Sequence, residues 1–206
     1  QFAMLTGVTK FGKISVFSDL NNLDDISMRE PYVNICGISE QEIHDNLEEE
    51  LHELADIQAM TYEETCAKLK EHYDGYHFVE NTIGIYNPFS LLNTFKYNKF
   101  SNYWFETGTP SYLVELLKRT DYNLYDMAHT QTNADVLNSI DIVSRNPIPV
   151  IYQSGYLTIK DYDNRFSNYL LEFPNDEVRY SFLDFLIPYY TSVVDDERGF
   201  YVGKFV

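Results

Sequence analysis

The sequence predicts an α+β fold that is mostly helical, and two observations carry this prediction. Residues 39–120 contain four helix-start signals, each followed by apolar residues at helical spacing. Residues 150–187 read as a strand, a turn, a second strand and a helix. A further short apolar run, Phe2 to Leu5, predicts one strand near the start of the chain. The expected order is one strand, an all-helical middle, then a hairpin and a helix.

Four helix starts in the middle of the chain are marked by capping residues. Ser39–Glu42 and Thr61–Glu64 are capping boxes, with Glu three positions after a hydroxyl residue. Asn87-Pro88 and Thr109-Pro110 each place a capping residue before a proline at the first helical position. Residues 122–145 are weakly periodic and predict helix and loop. The apolar stripes that these helices are expected to bury are Ile43, Leu47, Leu51, Leu54 and Ala55; Tyr62, Cys66, Leu69 and Tyr73; Phe89, Leu92 and Phe95; and Leu113, Leu116 and Leu117.

The hairpin near the end of the chain is predicted from alternation and turn residues. Residues 156–160 alternate between the two faces of a half-buried strand, and residues 169–173 return as a second strand. The polar residues 161–168 form the turn. Pro174 ends the hairpin and Asn175 is placed to cap the next helix. The stripe of that helix is Val178, Phe182, Leu183, Phe185 and Leu186. A hairpin packed on a helix is typical of a winged-helix-like unit.

Charge composition argues against nucleic acid as a partner of this chain alone. The sequence has 32 acidic and 15 basic residues and a net charge of −17, which repels phosphate backbones. No apolar run reaches the roughly 20 residues of a membrane span. With no signal peptide in the sequence, we expect a cytoplasmic protein with no membrane partner. Cys36 and Cys66 are expected to be buried thiols in that reducing compartment. The apolar patterns that stop at both ends predict a fragment of a longer protein.

Residues 7–14 come close to a phosphate-binding loop without completing it. Gly7, Gly12 and Lys13 match the pattern GxxxxGK after a strand, but Ile14 replaces the hydroxyl residue that would hold magnesium. Ser15 follows one residue later, which on a helix rotates a side chain by roughly 100°. We interpret this stretch as a strand end and a loop.

No pattern in the chain predicts a catalytic residue or a metal site. The five histidines form no HExxH motif, and His44 and His52 are expected to be solvated side chains. A PD-(D/E)XK nuclease needs an acidic residue two positions before a lysine, and no lysine of the chain has one. The pair Asp24-Asp25 is interpreted as part of a solvated loop.

Residues 73–78, Tyr-Asp-Gly-Tyr-His-Phe, are dense in aromatic side chains for a helix end. Gly75 is placed to end the preceding helix. The segment is interpreted as an aromatic corner of the core. The alternative is a surface on which an adenine or a peptide stacks.

Several segments of the chain stand out by their order and spacing. They are LTGVTKFGKISVFSDLNNLDDIS (5–27), CGISEQEI (36–43), YDGYHF (73–78), YNPFSLL (86–92), YWFETGTPSYLVELL (103–117), YQSGYLTIKDYD (152–163) and FPNDEVRYSFL (173–183). This series resembles the bacterial AAA-ATPase-like family, whose members commonly carry a PD-(D/E)XK nuclease-like domain at the C-terminus. The resemblance runs nearly end to end.

The resemblance implies three parts in this chain. Residues 1–35 would be the end of a P-loop ATPase core, with a remnant core strand and its following loop. Residues 36–146 would be a helical lid subdomain. Residues 147–206 would be the winged-helix-like unit and the start of a linker. The phosphate-binding loop would lie upstream and the nuclease-like domain downstream, as partners in the same polypeptide.

The resemblance also implies where a nucleotide would be sensed. Thr6, at the end of the LTG strand, is similar to the sensor position of a P-loop ATPase, and Lys10 follows in the same loop. ATP and Mg²⁺ are expected in the intact protein, and none for this chain alone, which should not hydrolyse ATP. Arg119 and Arg179 are further residues that a lid could direct at the terminal phosphate.

Two other functions remain open at this point. The chain could be a non-enzymatic module whose acidic, tyrosine-rich surface binds a protein partner. It could also be a winged-helix-like unit that contacts DNA weakly, although the hairpin balances Lys160 and Arg165 against Asp161 and Asp163.

Overall fold

The fold is taken from a computed structural model, which describes residues 7, 24–107, 111–120, 122, 127, 130–139 and 146–190. The predicted sensor residues Thr6 and Lys10 lie outside these residues, as do the strand expected at residues 2–5 and the loop at residues 8–14. Across the part of the chain that is described, no helix is long and apolar enough to cross a membrane.

The described residues form a mixed α/β structure dominated by helices, as predicted. The helices are α1 (Glu40–Asn46), α2 (Glu48–Gln58), α3 (Tyr62–Tyr73), α4 (Pro88–Tyr97), α5 (Tyr103–Glu106), α6 (Ser111–Thr120), α7 (Ala134–Leu137), α8 (Ile148–Gln153) and α9 (Asp176–Tyr190). The strands are β1 (Thr130–Thr132), β2 (Thr158–Asp163) and β3 (Asn168–Glu172). They pair antiparallel in the order β1-β3-β2.

The capping signals determine where the helices begin. Ser39 with Glu42, and Thr61 with Glu64, form both hydrogen bonds of a capping box. The Asn87 side chain accepts from the backbone N–H groups of Phe89 and Ser90. The single helix expected from residue 39 onward is instead two, because Leu47 leaves helical geometry at φ −129° and ψ 27°.

Strand β1 corrects the prediction of helix and loop for residues 122–145. It is three residues long, too short to show a period of two, and it pairs with β3 through Thr130 opposite Leu171. Its partner lies some forty residues further along the chain, so no local pattern reports it. The division of the chain at residues 35 and 146 stays a prediction.

Two clusters of buried side chains form the core. The first, from α1 to α4 and the strand-like segment before α4, contains Ile43, Leu51, Leu54, Leu69, Tyr73, Tyr86, Leu91 and Phe95. The second, from α6 to α9 and the sheet, contains Leu113, Val114, Leu116, Leu117, Met127, Leu137, Ile148, Ile151, Tyr156, Leu157, Ile159, Tyr169, Leu171, Phe173, Val178, Phe182 and Leu186. Helix α9 contacts both α3 and α5 and so joins the two parts.

The buried face of α4 is only partly the predicted one. Phe95 is buried as predicted, whereas Phe89 and Leu92 are 48% and 49% exposed. The other buried residues of this helix are Ser90, Leu91 and Thr94. The sequence of α4 contains two possible apolar stripes, and hydrogen bonds of Ser90 and Thr94 stabilise the one that includes Leu91. Thr94 Oγ1 donates to Ser90 O at 2.9 Å, and Ser90 Oγ accepts from the backbone N–H of Trp104 at 3.2 Å.

The predicted burial of the cysteines is wrong for Cys36, which is exposed, whereas Cys66 is half-buried. Cys36 precedes the first regular helix in a segment of turns, so it has little structure to pack against. Cys66 lies on α3 one turn before the buried Leu69.

The hairpin forms as expected, with a shorter turn. Strand β2 runs to Asp163, whose Oδ1 accepts from the backbone N–H of Arg165 at 2.8 Å and so initiates the turn. Thr158, expected on the exposed face, is buried because its hydroxyl bonds both backbone groups of His77. The register of β2 against β3 shifts between Ile159 and Asp161, which leaves Lys160 as the extra residue of a β-bulge.

Candidate functional site

An open cleft lies where the end of α3 meets the hairpin, and we call it the Asp74 cleft. Its volume is about 850 Å³. Its walls come from the start of α1, the last turn of α3, residues 75–84, the bulge of β2 and the turn before α9. Titratable side chains in the lining include Glu40, Lys70, Glu71, Asp74, His77 and Lys160.

Asp74 is positioned by the end of α3. Its backbone N–H donates to Lys70 O at 3.1 Å, and its own backbone is already extended. Gly75 then takes φ +97°, which favours glycine. A Cβ on Gly75 would also collide with the carbonyl oxygen of Pro174. The chain therefore turns at residue 75 against the segment that precedes α9.

The Asp74 side chain is held in a desolvated place. The residue is only 7% exposed, and burial raises the pKa of its carboxyl, with the Gly75 N–H and the charge of Lys70 acting in the opposite direction. Its Oδ1 has no hydrogen-bond partner among the described residues. A Cβ on Gly84 would lie 2.7 Å from Oδ1, so a glycine at this position leaves room for the carboxylate.

Among the described residues, none of the basic groups around Asp74 forms an ion pair with its carboxyl. Lys70 Nζ lies 2.6 Å from Glu40 Oε2 in an ion pair across α1 and α3. Burial lowers the pKa of His77, and the charge of Lys160 lowers it further. Lys160 reaches the cleft from the bulge, and its Nζ lies 3.6 Å from where a Cβ on Gly75 would stand. The Asp74 carboxyl therefore lacks a dedicated cationic partner in this part of the structure.

Side-chain-to-backbone hydrogen bonds hold the cleft walls together, and we call this set of contacts the junction. Asn175 Nδ2 donates to Asp74 O at 2.9 Å across 101 positions of sequence. The same side chain accepts from the backbone N–H of Val178 at 3.1 Å, as the predicted cap of α9. Thr158 bonds the backbone of His77 from the hairpin side. The junction therefore ties the end of α3 to the hairpin and to α9.

A second buried carboxyl, Glu177, lies behind the junction in α9. It is fully buried, and its Oε1 accepts from the backbone N–H of Trp104 at 2.8 Å. Burial raises the pKa of Glu177 to about 7, against the hydrogen bonds from Ser90 and from backbone N–H groups. Its Oε2 has no partner among the described residues. Glu177 therefore links α9 to the start of α5.

The aromatic residues of the 73–78 segment divide between the two cores. Tyr73 is fully buried in the first cluster, donates to Ser101 O at 2.9 Å and stacks on Phe100. Tyr76 packs against the second cluster and pairs with Ile85 through both backbone hydrogen bonds. These contacts agree with the interpretation of a core corner, while Asp74 and His77 between them line the cleft.

Other residues singled out from the sequence do not gather at one site. In the described ranges no group of three or more His, Cys, Asp or Glu residues could hold a metal ion. His44 and His52 instead lie beside Glu48, at 3.8 and 3.5 Å. Asp24 pairs with Arg29.

The basic residues of the hairpin do not form one surface. Lys160 turns into the cleft, whereas Arg165 lies over the Phe166 ring, 5.1 Å from its centroid, at the turn of the hairpin. Arg119 lies in α6 and Arg179 in α9.

Comparison with known proteins gives one relative of substantial length. An "Uncharacterized protein in vnfD 5'region" from Azotobacter chroococcum mcd 1 is 36% identical over 191 residues. The match covers 91% of this chain and 34% of the relative, so the chain spans about a third of the relative's length. No family model matches the chain, and no solved structure matches it. The name of the relative states no activity.

Proposed function

We propose that this chain is the sensor-strand, lid and winged-helix-like portion of an AAA-like P-loop ATPase. In the whole polypeptide it would couple ATP binding and hydrolysis to a protein partner or to a nuclease-like domain. The observation that carries the proposal is the junction. Two motif segments of the resemblance, 73–78 and 173–183, are far apart in sequence and meet there through Asn175 and Asp74.

A coupling element must transmit movement between the parts that it joins. The hydrogen bond from Asn175 to Asp74 O is buried, and Thr158 fixes both backbone groups of His77. Glu177 adds a third link, to Trp104. Because these bonds fix backbone rather than flexible side chains, movement of α3 is expected to be transmitted to the hairpin and α9.

The remaining parts of the proposal follow the resemblance. Thr6 and Lys10 would approach the terminal phosphate of ATP, with Mg²⁺ held by residues of an upstream core, and the protein would act in the cytoplasm. The length of the relative from Azotobacter chroococcum supports this, since about two thirds of it lie outside the match and leave room for a core and a further domain. The hairpin with α9 supplies the strand and helix order of the winged-helix-like unit.

The test is calorimetric titration of Mg-ATP into this chain and into a chain extended upstream through the phosphate-binding loop. The proposal predicts binding to the extended chain alone, and a loss of ATP turnover there when Thr6 is replaced by alanine. The matched control is Thr9→Ala, three positions along the same segment. Binding by the 206-residue chain alone would contradict the proposal and return attention to residues 7–13.

A second function, a protein-interaction module, is favoured by the outer face of α4. Phe89, Leu92 and Tyr97 are 48%, 49% and 57% exposed there, and Ile57 at the end of α2 is 56% exposed. Exposed apolar side chains grouped on neighbouring helices are typical of protein contacts. Failure of both chains to bind Mg-ATP would make this the leading hypothesis.

A further inference from the structure

The Asp74 carboxyl has one buried oxygen without a donor. Oδ1 has no hydrogen-bond partner among the described residues, although the residue is only 7% exposed and the Gly75 N–H donates to the carboxyl. Leaving a buried acceptor unpaired costs stability, and more so when it is charged. Such a group in a cleft that opens to solvent suggests a partner that is supplied from outside the chain.

The neighbouring side chains do not remove this cost. Lys70 is already paired with Glu40 at 2.6 Å. His77 has its pKa lowered by burial, so at neutral pH it carries little charge. Gly84, placed so that a Cβ would reach 2.7 Å from Oδ1, provides space rather than a donor. Asp74 borders the cleft, which is therefore the side from which a donor can approach once residue 84 moves.

We propose that the Asp74 cleft binds a cationic nitrogen group, a guanidinium or a primary ammonium, whose N–H groups donate to the Asp74 carboxylate. Charge-assisted hydrogen bonds of this kind are the strong ones, and they would supply the missing donor. With Lys70 paired to Glu40, the lining retains Asp74 and Glu71 against Lys160. The net charge of −17 favours a cation further.

The shape of the cleft is consistent with this ligand class. A volume of about 850 Å³ holds an organic cation the size of an arginine side chain, and the cleft is bordered by Ile83, which is 62% exposed. Oδ1 itself is not exposed to solvent and Gly84 lies against it, so binding requires a displacement of this short segment. A metal ion fits less well, since the described lining offers no group of three suitable ligands.

Lys160 provides a way to determine the sign of the ligand's charge. It is an exposed cation held in the cleft by the β-bulge. If the ligand is a cation, replacing Lys160 by methionine removes a like charge and tightens binding. If the ligand is an anion, the same replacement removes its main attraction and binding is lost.

The experiment uses the 206-residue chain and four probes. Agmatine and n-butylamine present the two cations as small molecules, and the capped peptide acetyl-Gly-Arg-Gly-amide presents a guanidinium on a polypeptide. Inorganic phosphate is the anionic comparison. Binding is followed by calorimetry and by the amide NMR signal of Gly84, which lies beside the carboxylate. Tighter binding of the peptide identifies a protein partner as the source of the cationic group. Tighter binding of agmatine identifies a free metabolite.

The expected result is binding of a cation with a shift of the Gly84 signal. Asp74→Asn is expected to weaken it by about tenfold or more, the effect of losing a charge-assisted hydrogen bond. Glu71→Gln, which removes an exposed acid from the same lining, is the matched control and changes affinity by less than about threefold. Lys160→Met is expected to tighten binding roughly twofold.

Several results would overturn the inference. They are the absence of cation binding at millimolar concentration, equal binding by wild type and Asp74→Asn, or phosphate binding that Lys160→Met abolishes. If Asp74→Asn does not fold, Gly84→Ala replaces it, because its Cβ displaces the carboxylate without changing its charge. The site is independent of the ATPase proposal, since no probe is a nucleotide and the readout is not turnover.

Discussion

The two buried carboxyl groups on either side of the junction share a chemistry and differ in their surroundings. Asp74 and Glu177 both have a pKa raised by burial, and each has one oxygen without a partner among the described residues. Glu177 is enclosed and anchors the Trp104 N–H, whereas Asp74 lines an open cleft. A raised pKa alone therefore does not distinguish a carboxyl enclosed in the core from one that borders a cleft.

The largest expected effect is the pH dependence of stability that Glu177 confers. Its pKa is 4.5 in the unfolded chain and about 7 when folded, so the folded state holds the proton more tightly. The stabilising contribution of Glu177 is therefore fully present below about pH 4.5, and it is lost as pH rises towards 7, by about 3 kcal/mol. Glu177→Gln is expected to flatten this fall in urea unfolding measured at a series of pH values.

Asp74→Asn is the comparison for that experiment. Burial favours the protonated form of Asp74 as well. Its contribution to the pH dependence of stability is smaller, because it lies at the cleft and because the Gly75 N–H and the charge of Lys70 oppose the effect of burial. A larger flattening from Asp74→Asn than from Glu177→Gln would reverse the assignment of the structural carboxyl.

Truncation of the same two residues sharpens the contrast. At pH 5, Glu177→Ala is expected to lower the free energy of unfolding by about 2 kcal/mol, because the Trp104 N–H loses an acceptor and a space is left inside the protein. Asp74→Ala removes one oxygen without a partner together with the acceptor of the Gly75 N–H, which borders the cleft and can turn to water, and it is expected to cost less than about 1 kcal/mol. Chemical denaturation measures both, and equal costs would remove the distinction.

Asn175 connects the backbone of Asp74 to α9, the helix that carries Glu177, and its contribution to stability is expected to be smaller. Asn175→Ser keeps a side chain that caps α9 but removes the donor to Asp74 O. The free energy of unfolding is expected to fall by about 1 kcal/mol, the usual value of one hydrogen bond. Asn133→Ser, at the cap of α7, is the matched control with little expected change. If both variants lose the same amount, the bond to Asp74 contributes nothing beyond capping.

Local signals in the sequence were sufficient for the helices and the hairpin. The capping box at Ser39, the cap at Asn87 and the turn at Gly75 each act within a few residues, so a pattern reports them. Strand β1 and the buried face of α4 depend on partners outside the local pattern. The prediction of helix and loop for residues 122–145 holds for α7 but missed β1. The predicted stripe of α4 is right for Phe95 and wrong for Phe89 and Leu92. The buried stripe of α4 is selected by Trp104, which no periodicity in the helix encodes.

The candidate site was only partly accessible from the sequence. The 73–78 segment was singled out for its aromatic residues and not for the buried carboxyl of Asp74. Gly84, which lies against that carboxyl, is ten positions further along the chain. Glu177 lies two positions after the predicted cap Asn175, in the first turn of α9, where an exposed acid is the ordinary expectation. Thr6 and Lys10 remain predictions, since they lie outside the described residues.

The most direct test of the coupling role is ATP turnover by the whole polypeptide with Asn175→Ser. The account predicts that turnover falls by roughly fivefold or more while the Kd for Mg-ATP stays within about twofold, because the junction transmits movement and does not hold nucleotide. Asn133→Ser should leave both quantities unchanged. Unchanged turnover in a folded Asn175→Ser protein, or no ATP turnover in the unaltered polypeptide, would contradict the account.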